Sequence, residues 1–144
     1  MAGINPMTGI AGPRGARSCR RVIDGDVGAA SALKLSYAGI TKGITALGSA
    51  MALGAARAGV AAALRDELAA SQPDVLRALQ RSVPDMFPKA YRWVAEMEEI
   101  SAFLAGLPAA PIYQGAARLY EALAEGGAPV ATLAEFYRRP ESKA

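Results

Sequence analysis

Histidine is absent from this 144-residue chain, and cysteine occurs once, at Cys19. Without histidine, a zinc site and any Ser-His or Cys-His catalytic pair are excluded. One cysteine rules out an internal disulfide and suits a reducing, cytoplasmic compartment. The first twenty residues hold no apolar h-region, so no signal peptide is expected. Runs of alternating β-branched residues are nearly absent, and no strand–GxGxxG–helix unit occurs anywhere. Charge is also sparse where the chain is most helical: after Asp26, the stretch Gly25 to Gly59 carries only Lys34, Lys42 and Arg57.

What remains is alanine-rich and helical in pattern, long enough for one domain with a real core. The expected class is an all-α bundle of about six helices around one long central helix. Residues 1–60 hold seven Lys/Arg against two Asp, net +5, and residues 61–144 hold nine against eleven Asp/Glu, net −2. A surplus that small, much of it in the leader, does not describe a nucleic-acid binder.

The organising stretch is Ala29 to Ala58. As one helix it spans roughly 45 Å, interrupted only by glycines that each cost about 1 kcal/mol relative to alanine. At 100° per residue it shows three stripes. Leu33, Ile40, Ile44, Leu47 and Met51 form a large apolar one; Gly39, Gly43, Ala46 and Ala50 form a small one. Lys34, Ala38, Thr41, Lys42, Thr45 and Ser49 form a small polar one. Two faces suited to packing and one suited to a polar cleft make this a mostly buried rod. Ser36 to Ala56 has the length of a membrane span and a GxxxG pair at Gly39 and Gly43. Lys42 lies inside it, costing about 2.5–3.5 kcal/mol on an insertion scale, among alanines and glycines that offset little. No membrane helix is expected.

In chain order, residues 1–21 read as an irregular leader of glycine, proline and arginine. Its glycines at 9, 12 and 15 follow no strand and carry no dinucleotide signal. Arg21 to Ile23 suits a short extended piece, and Asp26 a cap or first-turn acid of the rod. Arg57 and Gly59 end the rod. A second helix covers about Val60 to Ala70, with Val60, Leu64 and Leu68 on one face. Ser71 to Asp74 has capping-box spacing before a third helix with Val75, Leu76, Leu79 and Val83, punctuated by Pro84 and Pro88. A fourth runs from about Lys89 to Leu104, turning Trp93, Met97, Ile100 and Leu104 to the core. Ile112, Ala116, Leu119, Tyr120 and Leu123 mark a fifth, closed by Gly126 and Gly127. Thr132 with Glu135 reads as a second capping box, opening a last helix that Pro140 stops. The all-α domain thus covers residues 22–140, and 141–144 form a tail.

Lys34 is the first candidate for chemistry, since a lysine on a crowded helix with few carboxylates nearby in sequence suits proton exchange near neutral pH. The plainer account is a lysine whose stem packs and whose head reaches water. Lys42, two turns on, offers a second positive charge for an anionic substrate, or is simply a snorkelling or ion-paired lysine. Glu96, Glu98 and Glu99 read as a solvated face bridged to Arg92 rather than a metal site. Trp93 and Tyr91 can stack on a ligand, though core packing is their default.

Gly25-Asp26-Val27-Gly28 followed by Lys34 resembles the segment that opens the long interdomain helix of β-hydroxyacid dehydrogenases, the relatives of 6-phosphogluconate and 3-hydroxyisobutyrate dehydrogenase. GAASALKLSYAGITKG, with PKAYRWVAEMEEI at 88–100, is more similar to one branch. That branch is the uncharacterised helical C-terminal domain attached to 6-phosphogluconate-dehydrogenase-like, NAD(P)-binding proteins. The resemblance covers about Val22 to Arg139. It implies a 6-phosphogluconate dehydrogenase C-terminal-domain-like fold, which completes a substrate cleft and often a homodimer beside a separate Rossmann domain. It also implies Lys34 as the acid/base exchanging a proton with the substrate hydroxyl, with Gly28, Tyr37 and Lys42 at the substrate. The family's asparagine one turn after the lysine is replaced here by Tyr37 and Ala38, and its third glycine by Ala30. Carbonyl and imine substrates therefore stand beside hydroxyacids. Nothing before Val22 can be the roughly 150-residue nucleotide-binding half. The chain alone is expected to bind no cofactor and to have no dehydrogenase activity; NAD or NADP enters only with a Rossmann partner domain. The alternative is a non-enzymatic helical module for dimerisation or partner binding.

Overall fold

In the computed structural model, which describes Gly25 and residues 28–142, the rod is a single helix, α1, Ala29–Arg57, of 29 residues and about 44 Å. Its end is built as the residues require. Gly59 adopts φ +75°, its N–H bonds the Ala56 carbonyl, and the Val60 N–H bonds the Ala55 carbonyl at 2.9 Å. This is a Schellman closure, with glycine at the left-handed position. The leader, the extended piece at 21–23 and the cap expected at Asp26 lie outside the described residues.

Five more α-helices follow: α2 (Ala61–Ser71), α3 (Pro73–Met86), α4 (Ala90–Phe103), α5 (Ala110–Ala124) and α6 (Ala128–Phe136). Together with a 3₁₀ turn at Phe87–Lys89, they make the expected all-α bundle, and no strand occurs among the described residues. Every later helix touches α1, and α4 and α5 pack closely as an antiparallel hairpin. The Ser101 hydroxyl supports that hairpin by donating a 2.9 Å hydrogen bond to the Ala110 carbonyl. The core gathers Val83 and Met86 of α3, Met97 and Ile100 of α4, and Tyr120 and Leu123 of α5. Leu133 and Phe136 of α6 complete it.

Three local expectations are corrected. Ser71 does not cap α3: its hydroxyl donates back to the Glu67 carbonyl inside α2, and Pro73 opens α3 with no side-chain cap. Proline can do so because its missing N–H falls where none is needed. Pro84 lies within α3, which continues to Met86. Thr132 is interior to α6, whose start is set by Gly127 at φ 78°, ψ −152°, a conformation open to glycine alone.

The largest correction concerns α1. It is not wrapped on two sides. The buried side takes Gly39 and Ala46 of the small stripe and Thr45 and Ser49 of the polar one, together with Ala52 and Ala55, while Gly43 and Ala50 are half-buried. The large stripe is open: Leu33, Ile40, Ile44, Leu47 and Met51 are 48–64 % exposed. The bundle takes the side where backbone can approach closely. A Cβ added at Gly39 or Gly43 would come within 3.2 Å of the Tyr113 hydroxyl, which bonds the Gly39 carbonyl at 2.9 Å. Thr45 and Ser49 tolerate burial because each hydroxyl donates to the carbonyl four residues earlier, at 3.2 and 2.8 Å. No helix among the described residues is long and apolar enough to cross a membrane.

Candidate functional site

A cavity of about 500 Å³ lies between the first half of α1 and α4. Lys34, Tyr37, Thr41 and Lys42 line it from α1, and Glu96 and Glu99 from α4. Helical spacing explains the α1 wall: residues 34, 37, 38, 41 and 42 recur at three- and four-residue steps along one face. Three of the residues singled out in the sequence therefore share one wall. Gly28 does not; it is the exposed N-terminal flank of α1, its carbonyl accepting from the Ala32 N–H at 2.9 Å.

The two lysines differ. Lys42 is half-buried and forms an ion pair with Glu96. Its Nζ also lies 4.9 Å from the centre of the Trp93 ring, a distance at which the ring's negative face attracts the ammonium. Its backbone is held too, since the Tyr120 hydroxyl donates to the Lys42 carbonyl. Trp93 in turn meets Tyr120 edge-on, with ring centres 5.3 Å apart. Lys42 is thus a held charge, paired with Glu96. Lys34 is exposed at the cavity wall and forms no ion pair among the described residues. Tyr37 is exposed too.

The carboxylates reach the cavity through tertiary packing, which sequence distance hides. Glu96 pairs with Lys42, 54 residues away, rather than with Arg92. Glu98 turns to Arg118 at 2.5 Å, and the Arg92 guanidinium sits over the Tyr91 ring at 5.8 Å. Glu96 and Glu98 therefore go to separate cations, while among the described residues Glu99 forms no ion pair and no metal-binding group forms. Tyr91 is exposed and Trp93 packs against the core, so the pair does not make one stacking platform.

Taken together, the wall offers one uncommitted ammonium, one held ion pair, a further carboxylate at Glu99 and the hydroxyls of Tyr37 and Thr41. Such a set can bind a small polar molecule and pass it a proton.

A second concavity of about 540 Å³ is apolar, lying between α1 and α5 beside the exposed stripe. Ile40, Ile44 and Leu47 line it from α1, and Ile112, Tyr113 and Leu119 from α5. The sequence signal for it was present as the large stripe, but that stripe reads equally well as core.

A family model described as a domain of unknown function (DUF1932) matches residues 55–123, from the last turn of α1 to the end of α5. Glu96 and Glu99 fall within the matched segment; Lys34, Tyr37 and Lys42 precede it. No curated protein and no solved structure matches the chain.

Proposed function

We propose that this chain is the substrate-binding and dimerisation domain of an NAD(P)-dependent oxidoreductase of the β-hydroxyacid dehydrogenase type. Lys34 is its acid/base. One observation carries the reading: Lys34, Tyr37 and Lys42 line a single cavity from an unbroken helix, as the resemblance to the long interdomain helix requires. In this reading Lys34 Nζ exchanges a proton with the substrate hydroxyl, or with its imine counterpart. The Lys42–Glu96 pair fixes the opposite end of the wall.

The regular elements among the described residues are all helices and build no strand–glycine–helix unit, so they do not fit a dinucleotide, and no step through one is derived. The nucleotide-binding half belongs to another domain or chain. The test joins this domain to a nucleotide-binding domain of that type and measures turnover of a β-hydroxyacid. Lys34→Ala is expected to lower turnover by about 10²-fold or more. Unchanged turnover would end the assignment.

A second reading is a non-enzymatic helical module for dimerisation or partner binding. The exposed apolar stripe of α1 favours it, with the groove beside α5, since contiguous apolar surface of this kind marks interaction sites. Sedimentation at micromolar concentration tests the homodimer that both readings share. A stable monomer counts against it.

A further inference from the structure

A third concavity, of about 540 Å³, lies between α2, α3 and the segment that follows α6. It carries four guanidiniums, Arg65, Arg77, Arg138 and Arg139, against two carboxylates, Asp66 and Glu135. Counting Asp74, which pairs with Arg77, four positive charges less three negative leave the wall at +1. The Lys34 cavity, with two lysines and two glutamates, sums to zero. Of these two polar cavities, only the arginine one has a field suited to a multiply charged anion.

Three of the four arginines also have partners. Arg77 pairs with Asp74 in the first turn of α3. Arg138 pairs with Glu135 at 3.3 Å. Arg65, half-buried, donates to the Glu135 carbonyl at 3.5 Å, and its guanidinium carbon lies 5.9 Å from the centre of the Phe136 ring. Planar forks fixed this way on three chain segments lose little freedom when an oxyanion arrives. Guanidinium groups also match phosphate oxygens two at a time, which a lysine cannot do.

From this we infer an anion site, separate from the Lys34 cavity, that takes a phosphate monoester group. Such a group carries a charge of about −1.5 to −2 at pH 7, which Arg65 and Arg139 meet, the two guanidiniums of this wall that form no ion pair among the described residues. Glu135 competes with the ligand for Arg138. Arg65 is the central donor, reaching from α2 to the last turn of α6. The inference does not depend on the dehydrogenase reading.

The test follows the arginine Nε–H signals of the full chain by NMR during titration with inorganic phosphate, then with glycerol 3-phosphate. Chloride at equal ionic strength is the control. Saturable shifts at Arg65, Arg77, Arg138 and Arg139 are expected with both phosphates and not with chloride. Arg65→Gln should weaken binding about tenfold, and Arg139→Gln, at an exposed position clear of the core, should weaken it severalfold. Glu135→Gln, which frees Arg138, should tighten it. Pelleting with phosphatidic acid vesicles, competed by inorganic phosphate, would support the site with a lipid headgroup as the source; saturation without pelleting supports a soluble phosphate. Shifts that match chloride, or that survive Arg65→Gln and Arg139→Gln unchanged, overturn the site.

Discussion

The Tyr137 hydroxyl, just beyond α6, donates a 2.7 Å hydrogen bond to the Gly48 carbonyl in the middle of α1. Tyr120 and Tyr113 of α5 do the same to the carbonyls of Lys42 and Gly39. Three phenols thus tie the C-terminal helices to the buried side of the rod. Tyr137→Phe keeps the ring packing and removes one bond, and should cost about 1 kcal/mol. Urea unfolding measures it. A variant as stable as the parent would show that the hydroxyl adds nothing to the packing.

The same phenols give the fold an alkaline limit. Burial pushes the Tyr137 phenol up to about 12 and raises that of Tyr120 further. A group whose folded value is raised favours the protonated, folded form. Its contribution is whole below the ordinary tyrosine value of about 10 and is lost as pH rises through the folded value. Stability should therefore fall between about pH 10 and 12, where the unfolded chain gives up protons that the fold retains. The Tyr120→Phe, Tyr137→Phe double variant should show a flatter decline, read from denaturation midpoints across that range.

Two glycines of α1 should respond oppositely to alanine. A Cβ at Gly48 would sit 2.5 and 2.8 Å from the two methyl carbons of the buried Leu79, whereas at Gly54 nothing lies within 4 Å. Overpacking typically costs about 1–3 kcal/mol, against a helix gain of about 1 kcal/mol. Gly48→Ala should therefore lower the thermal midpoint. Gly54→Ala should raise it, by about 0.5–1 kcal/mol in stability. A stabilising Gly48→Ala would refute the close approach of α3 to α1.

The lysines of the candidate site separate by stability alone. Lys42→Met removes an ion pair and a contact with Trp93. It should cost about 1 kcal/mol, the modest figure of a partly exposed pair. Lys34→Ala should change stability by less than about 0.5 kcal/mol, because nothing in the fold leans on it. Chemical denaturation of both variants, set beside turnover in the two-domain context, tells a functional lysine from a structural one.

On the open face, Ile44→Glu introduces a charge into the exposed stripe while leaving the buried side untouched. With a second copy on this face, the parent should sediment as a dimer at micromolar concentration and the variant as a monomer with unchanged far-ultraviolet dichroism. Equal sedimentation would remove this face from the interface.

Much of the fold was legible because its signals are local. Gly59 and Arg57 marked the end of α1, Met97 and Ile100 marked the buried side of α4, and Gly126 with Gly127 closed α5. The failures also have local causes. Ser71 and Thr132 matched capping-box spacing, but the Ser71 hydroxyl is spent on the Glu67 carbonyl inside α2, and α6 starts four residues before Thr132, at Gly127 and Ala128. Glu96 was assigned to Arg92 because sequence offers only near neighbours, while the cation it meets comes from α1. The arginine cavity left no readable motif at all, since its members are gathered from positions 65 to 139.

By itself, the sequence determined that this chain is helical, where α1 ends, and that Lys34 and Lys42 share a face, because backbone propensity and a 3.6-residue period act within a few turns. Only the tertiary structure decided which side of α1 the bundle covers. Periodicity sorts side chains into stripes but carries no information about the neighbour. The small stripe won because glycine and alanine let Tyr113, Tyr120 and Leu79 come against the backbone. The five large apolar residues, which looked like core, were left facing outward.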